Sequence, residues 1–245
     1  MKKIVAFVVM TIQLFATAVT LPIESVSDDK DIVYVKLPSV DIGLSGVVVH
    51  TINDTHSIIL KRAEVLSFDK EKKLATIQLS EYNELQNDAL PKSEYQVSSK
   101  DHVVLAIAYK RALLIAPTEE IYHKVTKRVQ LEWVDSDFFA TFLSAHGHPT
   151  PLIEDFRAMS DSYSVGLFII YLNNKLYTVD AQSFKILSES DALFDKQAEK
   201  MIKLPFYSHI DEIEANWFGE GSSELKAYAP YYKALLKEYN PNKIK

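Results

Sequence analysis

The sequence predicts an α+β protein with a small β-barrel or β-meander module, a central α/β module and a helical C-terminal segment. Three observations support this fold class. Short apolar stretches separated by polar turns fill residues 31–79, which is typical of strands in a small barrel or meander. Strand and helix patterns then alternate between residues 111 and 190. Beyond residue 200, apolar and aromatic side chains recur at helical spacing.

The N-terminus has the form of a secretory signal peptide. Lys2 and Lys3 precede a largely apolar stretch from Ile4 to Val19, and small residues occupy positions 16 and 18. The alternative is an uncleaved membrane anchor, but the apolar stretch of about 16 residues is short for a span of about 20. We expect cleavage after Ala18. The product is an exported protein without a transmembrane span, in the periplasm or at the cell surface.

Changes of pattern divide the chain into four predicted segments. Residues 1–18 are the signal peptide, residues 19–110 the β module, residues 111–190 the α/β module, and residues 191–245 a helical segment with a free tail. The strands predicted from apolar runs or strict alternation are at residues 32–35, 47–49, 57–68, 75–79, 103–108 and 112–116.

Capping residues predict three helices in the α/β module. Thr118, followed by two glutamates, predicts a helix that runs to about residue 127. Asp135 or Ser136 begins a phenylalanine-rich helix that ends at Gly147, and Thr150 with Pro151 begins the next helix.

Strands complete this module. Residues 131–134 predict a short strand, and residues 167–172 a strongly apolar one. Asn173 and Asn174 predict a two-residue hairpin turn into a strand at residues 176–179, since asparagine tolerates positive φ.

Five apolar or aromatic residues after residue 220 keep helical spacing: Leu225, Tyr228, Tyr232, Leu235 and Tyr239. Pro230 lies among them, so we expect a break or a new helix there. Beyond Pro241 the sequence predicts a short, mobile tail.

Composition excludes several functions. The net charge of −6 argues against a non-specific nucleic-acid binder, because such proteins need an excess of Lys and Arg. The chain has no cysteine, which rules out disulfides, thiol catalysis and cysteine-ligated metals. None of the six glycines forms part of a phosphate-binding loop. We therefore expect no cofactor.

Three groups of residues carry candidate chemistry. His146 and His148 could ligate a metal with Glu154 or Asp155, although a helix C-terminus is the favoured explanation of the pair.

The other two groups are carboxylates with near neighbours. Asp135 and Asp137 are spaced like glycosidase carboxylates, but a helix N-terminus favours the same residues. Asp180 and Ser183, together with any one of the seven histidines, suggest a catalytic triad, yet no nucleophile-elbow motif accompanies them. We expect that the protein is not an enzyme.

The sequence ends in Lys245, which carries an ammonium and a carboxylate on one residue. A pocket with an acidic end, a basic end and an aromatic trough, such as that of a kringle domain, recognises this pair of charges. Lys245 and Lys243 are therefore candidate binding residues, with Lys233 and Lys237 as internal alternatives.

Several segments resemble the N-terminal domain of the bacterial plasminogen-binding protein A family. The resemblance covers roughly residues 30–188 and rests on structural rather than catalytic motifs. The segments are residues 46–50, 87–91, 111–117, 146–151, 154–156, 165–167, 176–180 and 183–184.

The resemblance implies an exported envelope protein that binds the kringle domains of host plasminogen through lysines, including the extreme C-terminal one. The named members are longer, with a charged low-complexity region after this domain. A second class of function is therefore kept open: a periplasmic structural or assembly component that contacts other envelope proteins and has no host ligand.

Overall fold

The computed structural model describes residues 18–82, 95–192, 202–215 and 223–244. The predicted signal sequence up to residue 17, the 87–91 motif and Lys245 lie outside these ranges. The described residues form a mixed α+β fold with a barrel, a separate sheet and a C-terminal helix, which confirms the predicted fold class.

Six antiparallel strands close the N-terminal barrel in the order β1-β2-β5-β4-β3-β6. The strands are β1 (Val19–Val26), β2 (Ile32–Lys36), β3 (Ser45–Asn53), β4 (His56–Asp69), β5 (Leu74–Glu81) and β6 (His102–Leu105). Strand β1 was not predicted from the sequence. It pairs with β2 and β6 and thereby closes the barrel.

The strand predicted at residues 103–108 ends at Leu105 because Ala106 and Ala108 have positive φ angles of 59° and 61°. These left-handed residues turn the chain out of the barrel and into the second sheet. Gly166 packs against this turn so closely that a Cβ there would lie 2.5 Å from the carbonyl carbon of Ala108.

The second sheet has five strands in the order β11-β10-β9-β7-β8. They are β7 (Arg111–Ile115), β8 (Glu132–Val134), β9 (Leu167–Leu172), β10 (Lys175–Asp180) and β11 (Ile186–Asp191). Strand β7 is parallel to β8 and β9, whereas β10 is antiparallel to β9 and β11. Asn173 and Asn174, with φ angles of 51° and 63°, form the predicted turn between β9 and β10.

Helices cover both faces of this sheet. They are α1 (Glu119–Thr126), α2 (Ser136–His146), α3 (Ile153–Tyr163) and α4 (Tyr228–Tyr239). The chain passes from β7 to its neighbour β8 and then returns past β7 to β9 on the other side. Crossovers between parallel strands are right-handed, so these two connections place α1 on one face of the sheet and α2 and α3 on the other face. Helix α1 shares one apolar core with the barrel, while α2, α3 and α4 cover the other core.

The predicted caps of α1 and α2 are confirmed. Thr118 Oγ1 accepts a hydrogen bond from the Ile121 N–H (3.3 Å), and Asp135 Oδ1 accepts one from the Asp137 N–H (2.9 Å). Gly147, at φ 68°, ends α2. Helix α3 begins only at Ile153, and Thr150 does not cap it. Asp155 Oδ2 accepts the N–H of Leu152, the residue before the helix, at 2.7 Å.

The C-terminal segment differs from the prediction of a mostly helical region. Strand β11 extends to Asp191, and residues 202–215 contain no helix. Two of their backbone N–H groups, those of Lys203 and Tyr207, instead donate to the carbonyls of Pro117 and Ala116 (2.8 and 2.7 Å). Pro230 does not interrupt α4, since it lies in the first turn, where its missing N–H has no helical partner to lose.

None of the helices in the described ranges combines the length and the apolar character that crossing a membrane requires.

Candidate functional site at the C-terminal helix

Helix α4 is anchored to the second sheet by buried tyrosines. The Tyr228 hydroxyl lies 2.9 Å from the carbonyl oxygen of Ile115 and 2.8 Å from that of Tyr171, so it ties α4 to β7 and β9. The Tyr232 hydroxyl donates to the carbonyl of Pro205 at 3.1 Å. Burial raises the pKa of both hydroxyls well above the ordinary value, which keeps them protonated donors.

The residues after α4 are docked as far as Ile244, which corrects the prediction of a free tail. Asn240 accepts the Ile186 N–H (2.7 Å) and donates its amide to the Phe184 carbonyl (3.0 Å). The N–H groups of Lys243 and Ile244 both donate to the Asn240 carbonyl, at 3.0 and 3.3 Å. Ile244 is only 6% exposed, so apolar burial as well as hydrogen bonding holds this turn against β11.

This docking fixes Lys243, one of the two residues proposed to bind. Its ammonium donates to the Ile186 carbonyl oxygen. An incoming ligand would have to replace that hydrogen bond. Lys245, the other proposed residue, lies outside the described ranges.

Lys233 and Lys237 present their ammonium groups to solvent. They are four residues apart on α4, and both side chains are exposed. Within the part of the chain that the structure describes, neither ammonium has a hydrogen-bond or ion-pair partner. We name Lys233, Lys237, Lys243 and the neighbouring Lys175 the C-terminal lysine surface.

An open groove of about 350 Å³ lies within this surface. Lys175 forms an ion pair with Glu189 across the β10–β11 pair, and this hydrogen bond raises the pKa of the lysine. The residues lining the groove are Leu172, Asn173, Lys175, Tyr177, Glu189, Lys233, Lys243 and Ile244. With three lysines and one glutamate, the groove carries positive charge on a protein whose net charge is −6.

The histidine pair occupies the end of α2. His146 Nδ1 lies 2.7 Å from the Phe142 carbonyl oxygen, and His148 Nδ1 lies 2.7 Å from Asp155 Oδ1. The two ring centroids are 6.5 Å apart. Within the described ranges, no third metal-ligating side chain joins the two histidines. Their contacts are those of a helix end and of the first turn of the next helix.

Asp135 and Asp137 also serve local structure. Asp135 caps α2, and Asp137 Oδ1 accepts the backbone N–H of His209 at 2.6 Å. The His209 imidazole lies 3.1 Å from Asp137 Oδ2, which ties residues 202–215 to α2. These three side chains form a cluster with metal-ligating atoms within 4.8 Å, and the sequence analysis missed its third member.

Asp180 is a structural anchor between the barrel and the sheet. Its carboxylate is completely buried and accepts hydrogen bonds from the Ser45 N–H (2.9 Å), the Ser45 hydroxyl (2.6 Å) and the Tyr109 hydroxyl. Its other oxygen accepts the N–H groups of Gln182 and Ser183 (2.9 and 2.8 Å).

Ser183 does not face a histidine. Its hydroxyl donates to the Gly43 carbonyl at 2.5 Å and so joins the same junction. The arrangement therefore holds two modules together rather than activating a nucleophile.

Comparison with known proteins gives the relationships of the chain. A family model described as "Plasminogen-binding protein pgbA N-terminal" matches residues 18–236. Two curated relatives, both named plasminogen-binding protein PgbA, come from Helicobacter pylori strains J99 (ATCC 700824) and ATCC 700392 (26695). Each is 26% identical over 226 residues, which is 91% of this chain.

The chain spans about half (48%) of the length of these relatives. No solved structure matches it. The family model covers nearly all the described residues, including the barrel, the second sheet and most of α4. The chain therefore belongs to the plasminogen-binding protein pgbA N-terminal family.

Proposed function

We propose that this protein is an exported binding protein that captures plasminogen through lysines of its C-terminal region. The observation that carries the proposal is the family membership together with the C-terminal lysine surface. The relatives are named for plasminogen binding. The surface carries exposed ammonium groups at Lys233 and Lys237, which fit a pocket that binds cations.

The chemistry of recognition is a cation and an anion read together. A kringle pocket offers carboxylates to the ammonium, an aromatic trough to the alkyl chain and a basic end to the ligand's carboxylate. In a chain that ends at Lys245, that residue supplies both charges. For the internal lysines, Glu189 lines the same groove as Lys233 and would supply a carboxylate after its ion pair with Lys175 opens. Lys243 would take part only after its hydrogen bond to Ile186 breaks.

Export is part of the proposal. The barrel begins at Val19, and the family match begins at residue 18. Both observations support a leader that ends at Ala18 and is not needed for the fold. Release of the leader would place the protein in the periplasm, or at the cell surface where a host ligand is accessible.

A second candidate function is a structural or assembly component of the envelope with no host ligand. Two observations favour it. The turn that carries Lys243 is docked on β11, so part of the proposed binding region has a structural role. In addition, the relatives' name describes whole proteins, and this chain spans 48% of their length.

A variant series measured by surface plasmon resonance on immobilised plasminogen tests the proposal. The chain of residues 19–245 is compared with a form lacking Lys245 and with the double variant Lys233→Gln, Lys237→Gln. Removing the charged group that a buried pocket of opposite charge binds costs about 2–5 kcal/mol of binding free energy, or roughly 30-fold or more in affinity. We expect a loss of that size in at least one of the two forms.

The matched control replaces two exposed lysines in the β4–β5 turn, Lys70→Gln with Lys72→Gln, and should leave the affinity unchanged. All forms are compared at one salt concentration, because exposed charges are screened. Equal affinity of all forms would contradict a role for the C-terminal lysines.

A further inference from the structure

A second cleft of about 350 Å³ lies between the barrel and α3, and none of its lining residues lines the groove at the C-terminal lysine surface. Strands β3, β4 and β5 form one wall, and α3 with the loop after β10 forms the other. Its lining is almost wholly polar: Ser45, Gly46, Arg62, Ala63, Glu64, Ser80, Arg157, Asp161, Gln182 and Ser183. The volume lies within the range of about 300–1,000 Å³ that is common for small-molecule sites.

Most polar groups of this lining are held in place by one another. Arg62 Nη2 donates to Asp161 Oδ2 at 2.9 Å, and Gln182 Nε2 donates to the other oxygen of Asp161 at 2.5 Å. Arg157 Nε donates to the Gln182 carbonyl at 3.0 Å, and its guanidinium lies 5.9 Å from the ring centroid of Tyr239. Such contacts fix the orientation of the walls before any ligand arrives.

Glu64 differs from these groups. Its side chain is half-buried, and among the described residues its carboxylate has no hydrogen-bond donor or ion-pair partner. Burial, and secondarily the nearby Asp180 carboxylate, raises the pKa of Glu64, while Lys185 and Arg157 lower it. A half-buried carboxylate without a donor is costly. Lys185 cannot approach it freely, because its ammonium donates to the Tyr239 carbonyl at 2.8 Å.

Arg157 has donors left over. Its described contacts use Nε and the face of the guanidinium, which leaves the two Nη groups without a described acceptor. Glu64 and Arg157 therefore line one cleft with opposite charges and are not joined by an ion pair. A molecule that carries an ammonium and a carboxylate would satisfy both groups at once.

We propose that this cleft binds a small zwitterion, a free amino acid, with its ammonium on Glu64 and its carboxylate on the Nη groups of Arg157. Arg62 and Asp161, which already pair with each other, border the ligand. The site is independent of plasminogen binding.

Isothermal titration calorimetry with unbranched amino acids of increasing charge separation tests the proposal. Glycine, β-alanine, 4-aminobutyrate and 5-aminopentanoate are titrated into residues 19–245 at neutral pH. We expect one chain length to bind best, with a dissociation constant tighter than about 1 mM. Its N-acetyl derivative, which lacks the ammonium, should bind at least about tenfold more weakly, a difference of about 1.4 kcal/mol.

Two variants and a control complete the test. Glu64→Gln and Arg157→Gln should each weaken binding at least about tenfold. Glu64→Gln should be as stable to urea as the wild type or more stable, because a carboxylate without a donor is removed from the cleft. Glu71→Gln, which changes an exposed carboxylate in the turn between β4 and β5, should bind like the wild type. Failure of every amino acid to bind the wild type, or equal binding by the N-acetyl derivative, would overturn the proposal.

Discussion

Replacing Asp180 by asparagine perturbs the junction on which the arrangement of the two modules depends. The carboxylate is completely buried and accepts hydrogen bonds from five donors, two on Ser45, one on Tyr109 and two on the backbone of residues 182 and 183. Asparagine has the same shape but only one acceptor oxygen. Its amide nitrogen must therefore face donors at one of the two positions.

The smaller loss places that nitrogen at the position of Oδ2, because the Ser45 and Tyr109 hydroxyls there can rotate to accept a hydrogen bond, which the two backbone N–H groups at Oδ1 cannot do. The Ser45 N–H then lacks an acceptor inside the protein, and an unsatisfied buried donor costs about 1–3 kcal/mol. The hydroxyl protons lose their acceptor and the remaining hydrogen bonds lose the strength that the charge gave them, so we expect a loss of about 3–5 kcal/mol in the free energy of unfolding. That is a large part of the about 5–15 kcal/mol that keeps a typical domain folded.

Urea unfolding of residues 19–245, followed by circular dichroism, measures this loss. The matched control is Asp191→Asn, which changes an exposed carboxylate at the end of β11 and should alter stability by less than about 0.5 kcal/mol. If Asp180→Asn is as stable as this control, the buried carboxylate does not hold the junction together.

Three further changes have defined outcomes. His148→Ala removes the imidazole that lies 2.7 Å from the buried carboxylate of Asp155, and it should lower the free energy of unfolding in urea by about 1–3 kcal/mol. His146→Ala should lower it by less than about 0.5 kcal/mol, and equal losses would contradict a structural role for the His148–Asp155 contact. Burial, together with nearby carboxylates, raises the pKa of Tyr231 from 10.0 to about 12. Its contribution to stability is therefore complete below pH 10 and is lost between pH 10 and 12; Tyr231→Phe should flatten that part of the urea-midpoint profile, and an unchanged slope would refute the assignment. Ala18→Arg should block processing of the exported chain, because signal peptidase accepts small side chains, and mass spectrometry of the mature N-terminus detects this; normal cleavage would contradict the proposed site.

Local signals in the sequence were sufficient for the helices and turns of the α/β module. Thr118 and Asp135 cap α1 and α2, and Asn173 with Asn174 turns β9 into β10. Each of these depends on a side chain and the backbone within a few residues of it. The sequence therefore contains the necessary information in one short window.

Long-range pairing could not be found in this way. Strand β1 has only two well-buried or half-buried apolar positions before its end, and its partners β2 and β6 are defined by the closed barrel. The tail after Pro241 reads as polar, but Asn240 reaches β11 at Ile186 and carries Ile244 into the core. A proline and two asparagines indicate a turn, and nothing local indicates what that turn packs against.

The candidate site residues show the same contrast between local and long-range information. The exposure of Lys233 and Lys237 follows from the helical spacing of their apolar neighbours. The engagement of Lys243, and the meeting of Glu64 with Arg157 across a cleft, require elements far apart in the chain. Asp180 and Ser183 stood out as a pair, but only the fold shows that their partners lie in the barrel, at Ser45 and Gly43.

The central claim, lysine-dependent capture of plasminogen, is tested most directly by a competition measurement. Residues 19–245 are passed over immobilised plasminogen in the presence of increasing free lysine at fixed salt, with free glutamine as the matched uncharged competitor. The proposal predicts saturable binding that lysine abolishes and glutamine leaves intact. Absence of binding, or binding that lysine does not displace, would contradict it and favour the structural role in the envelope.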